Sequence, residues 1–144
     1  MAGAGPRVFL RLVEGPVDLD WVRERVAGPD AGCVVRFEGT VRQEARGKAV
    51  LRLEYEAYPP MVEAELGRIC GEILERHAVL RIAVEHATGR VDPGQASVAV
   101  AVASAHRAPA FAAAAELMDL LKERVPLWKQ EFYPDGSTWI GRGS

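Results

Sequence analysis

Apolar positions along this chain change period several times, and each change marks an element. In "VFLRLV", residues 8–13, β-branched and aromatic side chains predict a strand, and "GP" at 15–16 ends it. Leu19, Val22 and Val26 then repeat at helical spacing behind Asp18, a candidate N-cap, until "GPD" at 28–30 stops them. A second strand, "CVVRF" at 33–37, runs into the polar, glycine-punctuated loop "EGTVRQEARGKAV". In "LRLEYEAY", 51–58, Leu51, Leu53 and Tyr55 alternate with Arg52, Glu54 and Glu56, the period-two pattern of an antiparallel strand with one buried face. After "PP" at 59–60, Val62, Leu66, Ile69, Cys70, Ile73 and Leu74 predict an amphipathic helix over 61–77. "LRIAVEHA" at 80–87 is the next strand. "DPG" at 92–94 makes a turn, and "SVAVAVAS" at 97–104 is so apolar that both its faces must be covered.

A second long helix is expected to begin near Pro109 and to end at Val125, because Pro126 disfavours α geometry in the residue before it. The tail "FYPDGSTWIG" reads as a turn and a short final strand. The predicted order, β-α-β-β-α-β-β-α before that tail, lacks strict βαβ alternation and so favours an α+β fold over a doubly wound sheet. Residues 1–7, "MAGAGPR", are expected to be disordered and 8–144 to form one domain.

Composition changes this picture mainly by exclusion. A chain of 144 residues can bury a core without disulfides or metal, and 26% charged against 49% hydrophobic residues is ordinary globular usage. Eighteen Lys and Arg against 20 Asp and Glu leave a net charge of −2, so any anion site must be local and general nucleic-acid binding is not expected. An RNA-binding reading rests only on Arg42, Arg46, Lys48 and Arg52 around one loop. Cys33 and Cys70 lie in apolar surroundings without C-x-x-C spacing, which favours reduced core thiols over a disulfide or a metal pair. With no secretory h-region and no run near the roughly 18 apolar residues of a membrane span, a cytoplasmic protein is expected. No Walker loop, G-x-G-x-x-G or His/Cys metal spacing is present, so no cofactor and no metal are expected.

Candidate chemistry gathers late in the chain. At about 100° per residue, Phe111, Ala114, Leu117, Met118 and Leu121 share an apolar arc, with Lys122 at its edge. Its amine either snorkels into water over an apolar stem or, partly desolvated, serves as a nucleophile or base. Lys129 lies beyond Pro126, where a turn of the chain can bring it back toward the helix end beside Trp128. His106 and Arg107 sit on a strand-to-helix connection, where free N–H groups and a guanidinium suit a phosphate or carboxylate. Arg42 is a candidate second clamp. Each taken alone fits a structural role better than a functional one; together they would make a cationic pocket for a small anion.

The segments "FEGTVR" (37–42), "LEYEAYPPM" (53–61), "ASAHRAPAF" (103–111) and "LKERVPLWKQEFY...STWIG" (121–141) jointly resemble the large, catalytic subunit family of molybdopterin synthase. The resemblance covers roughly residues 8–141. It implies an α/β hammerhead with an additional antiparallel sheet, and conversion of cyclic pyranopterin monophosphate to molybdopterin by insertion of two sulfurs. The sulfur donor it implies is the thiocarboxylated C-terminal glycine of a small ubiquitin-like partner subunit. A homodimer of large subunits within a heterotetramer follows from it, with a pterin substrate and with neither nucleic acid nor membrane as partner. By motif, Lys122 and Lys129 correspond to catalytic lysines, and Arg42, His106 and Arg107 to substrate-anion positions. Thr40, Val41, Gln130 and Glu131 are implied pocket neighbours. The rival reading is a non-catalytic module that binds a ubiquitin-like tail or a phosphorylated metabolite.

Overall fold

The alternation of valine and alanine in "SVAVAVAS" explains how one strand serves two cores. In a computed structural model that describes residues 5–143, the chain runs β1 (Val8–Glu14), α1 (Leu19–Val26), β2 (Cys33–Thr40), β3 (Glu44–Ala45), β4 (Lys48–Ala49), β5 (Arg52–Ala57), α2 (Pro59–Arg76), β6 (Arg81–Val91), β7 (Ala96–Ser104), α3 (Arg107–Arg124), β8 (Leu127–Phe132) and β9 (Thr138–Arg142). Every residue of β7 is buried. Val98, Val100 and Val102 face one cluster with Leu66, Ile69 and Ile73 of α2 and Leu117 and Leu121 of α3. Ala99, Ala101 and Ala103 face the other, where their small side chains admit α1 through Val22 and Val26.

Strand order is β2-β7-β6-β5-β8-β9, with β1 parallel to β6 and the other pairings of this sheet antiparallel. The 11-residue β6 is the hinge of the design. Ile82–Thr88 pair with β1, and once β1 has ended at Glu14, Gly89–Val91 pair with β5. A hammerhead core sandwiched by helices thus continues into an additional antiparallel sheet, β5-β8-β9, within one α+β domain. That extension positions the candidate site.

Several boundaries differ from the sequence reading. Helix α2 starts at Pro59 and α3 at Arg107, because proline in the first turn sacrifices only an N–H with no intrahelical partner. The expected polar loop contains the short β3–β4 hairpin, and the tail has the expected turn, at Asp135 and Gly136, and final strand, β9, with the further strand β8 just ahead of it. Phe111 is 61% exposed: the buried stripe of α3 is centred on Ala110, Ala113 and Leu117, whose alanines let the helix approach the sheet closely. Of the segment expected to be disordered, residues 1–4 lie outside the described residues. At its inner edge, the Arg7 guanidinium donates to the carbonyls of Leu80 and Val79, and the Arg7 carbonyl accepts from Ile82 N–H.

An ion-pair ladder ties α2 to α3. Arg124 reaches Glu65 at 2.7 Å and Glu72 at 2.8 Å, and Arg76 and His77 both meet Glu116. Hydrogen bonds from Arg124 hold Glu65 and Glu72 below the usual carboxylate range, and the bond from His77, seconded by Arg76, does the same for Glu116. A depressed folded-state pKa contributes stability above the unfolded carboxylate pKa and loses it as pH falls through the folded one. Thermal melts should therefore show stability falling below about pH 5, and Arg124→Gln should flatten that fall by removing the shared cation.

Candidate active site

The cleft is built where the added sheet meets the end of β2 and the last turn of α3. A β-bulge between Gly39 and Thr40 redirects β2. Val41 is then pinned to the β6–β7 turn: its N–H donates to Gln95 O at 2.9 Å and its carbonyl accepts from Gly94 N–H at 2.8 Å. Val41 is buried, and Arg42 leaves this anchored base exposed. On α3, Lys122 lies on the flank of the buried stripe, immediately after fully buried Leu121 and one turn beyond Met118. Pro126 breaks the helix, and β8 turns back beside β5. Period-two alternation then puts Lys129 and Glu131 on one face of β8, opposite Tyr55 and Leu53 of β5.

Thr40, Val41, Arg42, Lys122, Lys129 and Glu131 all line one cleft of about 410 Å³, a volume suited to a small molecule, with Met118 and Tyr55 among its other walls. Among the described residues Arg42, Lys122 and Lys129 form neither an ion pair nor a side-chain hydrogen bond, so three cations with free donors converge there. Burial lowers the pKa of the Lys129 ammonium. The charges of Lys122, Arg46 and Arg42 push the same way against the single opposing carboxylate of Glu131. Tyr55 is buried as well, and desolvation raises its phenol above the ordinary value. The site thus combines fixed positive charge with an amine that holds its proton less firmly than an ordinary lysine, which suits an anionic substrate and a proton transfer.

Not every residue singled out in the sequence reaches this cleft. His106 and Arg107 line a separate depression with Gly32 and Cys33 at the other end of α3. Sixteen helical residues at about 1.5 Å each put His106 about 24 Å from Lys122 along the axis, so one chain cannot bring both to one small ligand. His106 occupies the N-cap position without a capping bond from its side chain. Gln130 is also displaced. As the residue between Lys129 and Glu131, it projects from the opposite face of β8, in a shallow cleft with Trp128, Ile140 and Glu54.

One participant was weighed in the sequence only as part of a basic loop. Arg46, at the tip of the β3–β4 hairpin, donates from Nη1 to both oxygens of Glu131, at 2.7 and 2.6 Å. Its guanidinium lies 3.5 Å from the centroid of the Trp139 ring. Nothing local in "QEARGKAV" signals this contact, because its partners lie 85 and 93 positions further along the chain.

Residues 12–124 match the family model described as MoaE protein. The chain is 43% identical over 139 residues to molybdopterin synthase catalytic subunit 1 of Mycobacterium tuberculosis, covering 96% of this chain and 93% of that one. It is 44% identical over 125 residues to the molybdopterin synthase catalytic subunit of Homo sapiens, covering 87% and 66% of the respective chains. Among solved structures it resembles molybdopterin synthase from Staphylococcus aureus, with a TM-score of 0.82 and 32% identity over 94% of this chain and 95% of that one. The MoaE protein of Burkholderia ambifaria gives a TM-score of 0.76 at 33% identity over 94% and 90%. In fold alone, the chain also resembles one in a complex of subunits 1 and 2 of the Helicobacter pylori molybdopterin-converting factor, with a TM-score of 0.73 at 20% identity over 88% and 86%.

Proposed function

This chain belongs to the MoaE protein family, and from that membership we propose that it is the catalytic subunit of a molybdopterin synthase. Its reaction is the conversion of cyclic pyranopterin monophosphate to molybdopterin, a step of molybdenum cofactor biosynthesis. Two sulfurs come from the thiocarboxylated C-terminal glycine of a small ubiquitin-like subunit. The observation that carries this reading is the convergence of Arg42, Lys122 and Lys129, unpaired, on one cleft. A terminal thiocarboxylate and a substrate phosphate are both anions, and a protein of net charge −2 attracts them only where cations are gathered.

In this scheme Lys122 orients the thiocarboxylate and assists its attack on the pterin. Lys129, the half-buried amine, moves the protons, and Arg42 holds the phosphate. Thr40, Val41 and Glu131 form the walls. Gln130 has no role, since it projects from the far face of its strand. A single-turnover assay with the thiocarboxylated small subunit and cyclic pyranopterin monophosphate tests the proposal. Molybdopterin formation supports it; a folded, partner-bound protein that makes none would favour the non-catalytic tail-binding module.

His106 and Arg107 enter through a second copy of the chain. In a homodimer within a heterotetramer, the start of one copy's α3 can serve the cleft of the other, which the separation along one helix requires if these residues touch substrate. Two inactive variants, Lys122→Ala and His106→Ala, test this when mixed. Dimers that combine them keep one site with both residues intact only if His106 crosses the interface, and then activity returns. Mixed dimers that stay inactive would place His106 outside the shared site.

A further inference from the structure

Arg46 sits in a conformation that arginine seldom adopts. Its φ is 53° and that of Gly47 is 74°, with Ala45 and Lys48 paired on either side. These are the two left-handed positions of a tight hairpin turn, where asparagine or glycine is preferred because a Cβ crowds the following carbonyl oxygen. Such strain persists where side-chain contacts over-determine the backbone. Those contacts are present. Nη1 of Arg46 holds both oxygens of the Glu131 carboxylate, which is 3% exposed, and the guanidinium carbon lies over the Trp139 ring, 3.5 Å from its centroid. Gly141 makes room for Trp139, whose ring edge lies where any Cβ there would overlap it. Lys48 extends the same attachment, with its ammonium 4.9 Å from the Tyr133 ring and 3.3 Å from Asp135.

The consequence falls on Lys129. It shares a strand face with Glu131, two residues away, and it pairs with Tyr55 on β5 and Gly141 on β9. Titratable groups around its amine come from several elements: Glu131 on β8, Tyr55 on β5, Lys122 on α3, Arg42 beyond β2, and Glu44 and Arg46 on the hairpin. Among these, Glu131 is the carboxylate that opposes the surrounding cations, and Arg46 already occupies both of its oxygens.

We propose that Arg46 is a positioning residue for Lys129: held by its strained turn and by Trp139, it takes the Glu131 carboxylate as its own ion-pair partner and leaves the lysine amine in the cleft without a direct ion pair. Without the guanidinium, the buried carboxylate would be uncompensated and the lysine on the same strand face would supply the missing cation. Lys129 would then be fixed as ammonium in an ion pair. The charge of Arg46 also opposes that of Lys129 directly, so both effects have one sign.

This inference deepens the proposed function and rests on it for the use made of Lys129, but its first test needs no turnover. Competitive acetylation of the free protein with acetic anhydride across pH, read by mass spectrometry on the Lys129 peptide with Lys122 as reference, gives the titration midpoint of Lys129. Arg46→Asn is the decisive variant, because asparagine suits the turn better than arginine and removes the clamp without straining the hairpin. Its Lys129 midpoint should move to higher pH, with a melting temperature that confirms the fold. Arg46→Lys, which keeps a cation able to reach Glu131, should stay near wild type. An unchanged or lowered midpoint in Arg46→Asn, or an equal shift in Arg46→Lys, would overturn the proposal. In the synthase assay the acid limb of the pH profile should move upward with the midpoint. A labelling shift without that movement would support the positioning role while removing Lys129 from proton transfer, which separates this inference from the functional one.

Discussion

Lys122→Ala is expected to lower product formation in a single-turnover assay by roughly 100- to 1000-fold, the loss associated with removing one preorganised charge from a reacting centre. The side chain is exposed, lines the cleft and has no ion pair among the described residues, so its removal breaks no structural contact of that kind. Stability and binding of the small subunit should therefore survive while chemistry fails. Circular dichroism and partner pull-down would check the first two, and fluorescence of oxidised molybdopterin the third. Wild-type turnover in this variant would remove the central assignment. Lys122→Arg, which keeps charge but enlarges and rigidifies the head group, should recover binding of the anionic tail better than it recovers turnover.

Its neighbour should behave in the opposite way. Leu121 is fully buried in the cluster between α3 and the sheet, and its carbonyl accepts the N–H that ends the helix, from Val125 at 3.0 Å. Leu121→Ala leaves a cavity beneath the last turn, with an expected cost of about 2–5 kcal/mol. For a domain of this size that is a drop of roughly 10 °C in melting temperature. Part of the cost should also appear as loosening of the turn that carries Lys122, so activity should decline before global unfolding as temperature rises. A melting temperature within a degree or two of wild type would show that α3 is not anchored there. Adjacent residues then separate chemistry from packing: one substitution spares the fold and removes the reaction, and the other weakens the fold beneath it.

The sequence was most informative where periodicity and burial agree. The strands at 8–13, 33–37, 80–87 and 97–104 and both long helices were legible, because their apolar residues meet a core on a repeat of two or 3.6. The covering of both faces of β7 was legible for the same reason. The pattern became unreadable at β8. Lys129 and Glu131 point inward and Trp128 outward, so the usual polarity of inside and outside is inverted by a cleft that needs charge. The two-residue strands β3 and β4 have too few positions to show any period.

Taken by itself, the sequence determined an α+β domain with little net charge, the motifs of its family, and the proximity of Lys122 to the edge of an apolar helix face. These depend on local spacing and on residue type, which a chain carries without its fold. Only the tertiary structure decided which candidates meet. It joined Thr40, Val41, Arg42, Lys122, Lys129 and Glu131 in one cleft, sent Gln130 to the opposite face, and placed His106 and Arg107 at the far end of α3. It also brought Arg46 across 85 residues to Glu131. Distance in space between remote segments is set by sheet register and helix length, and neither is encoded within the segments themselves.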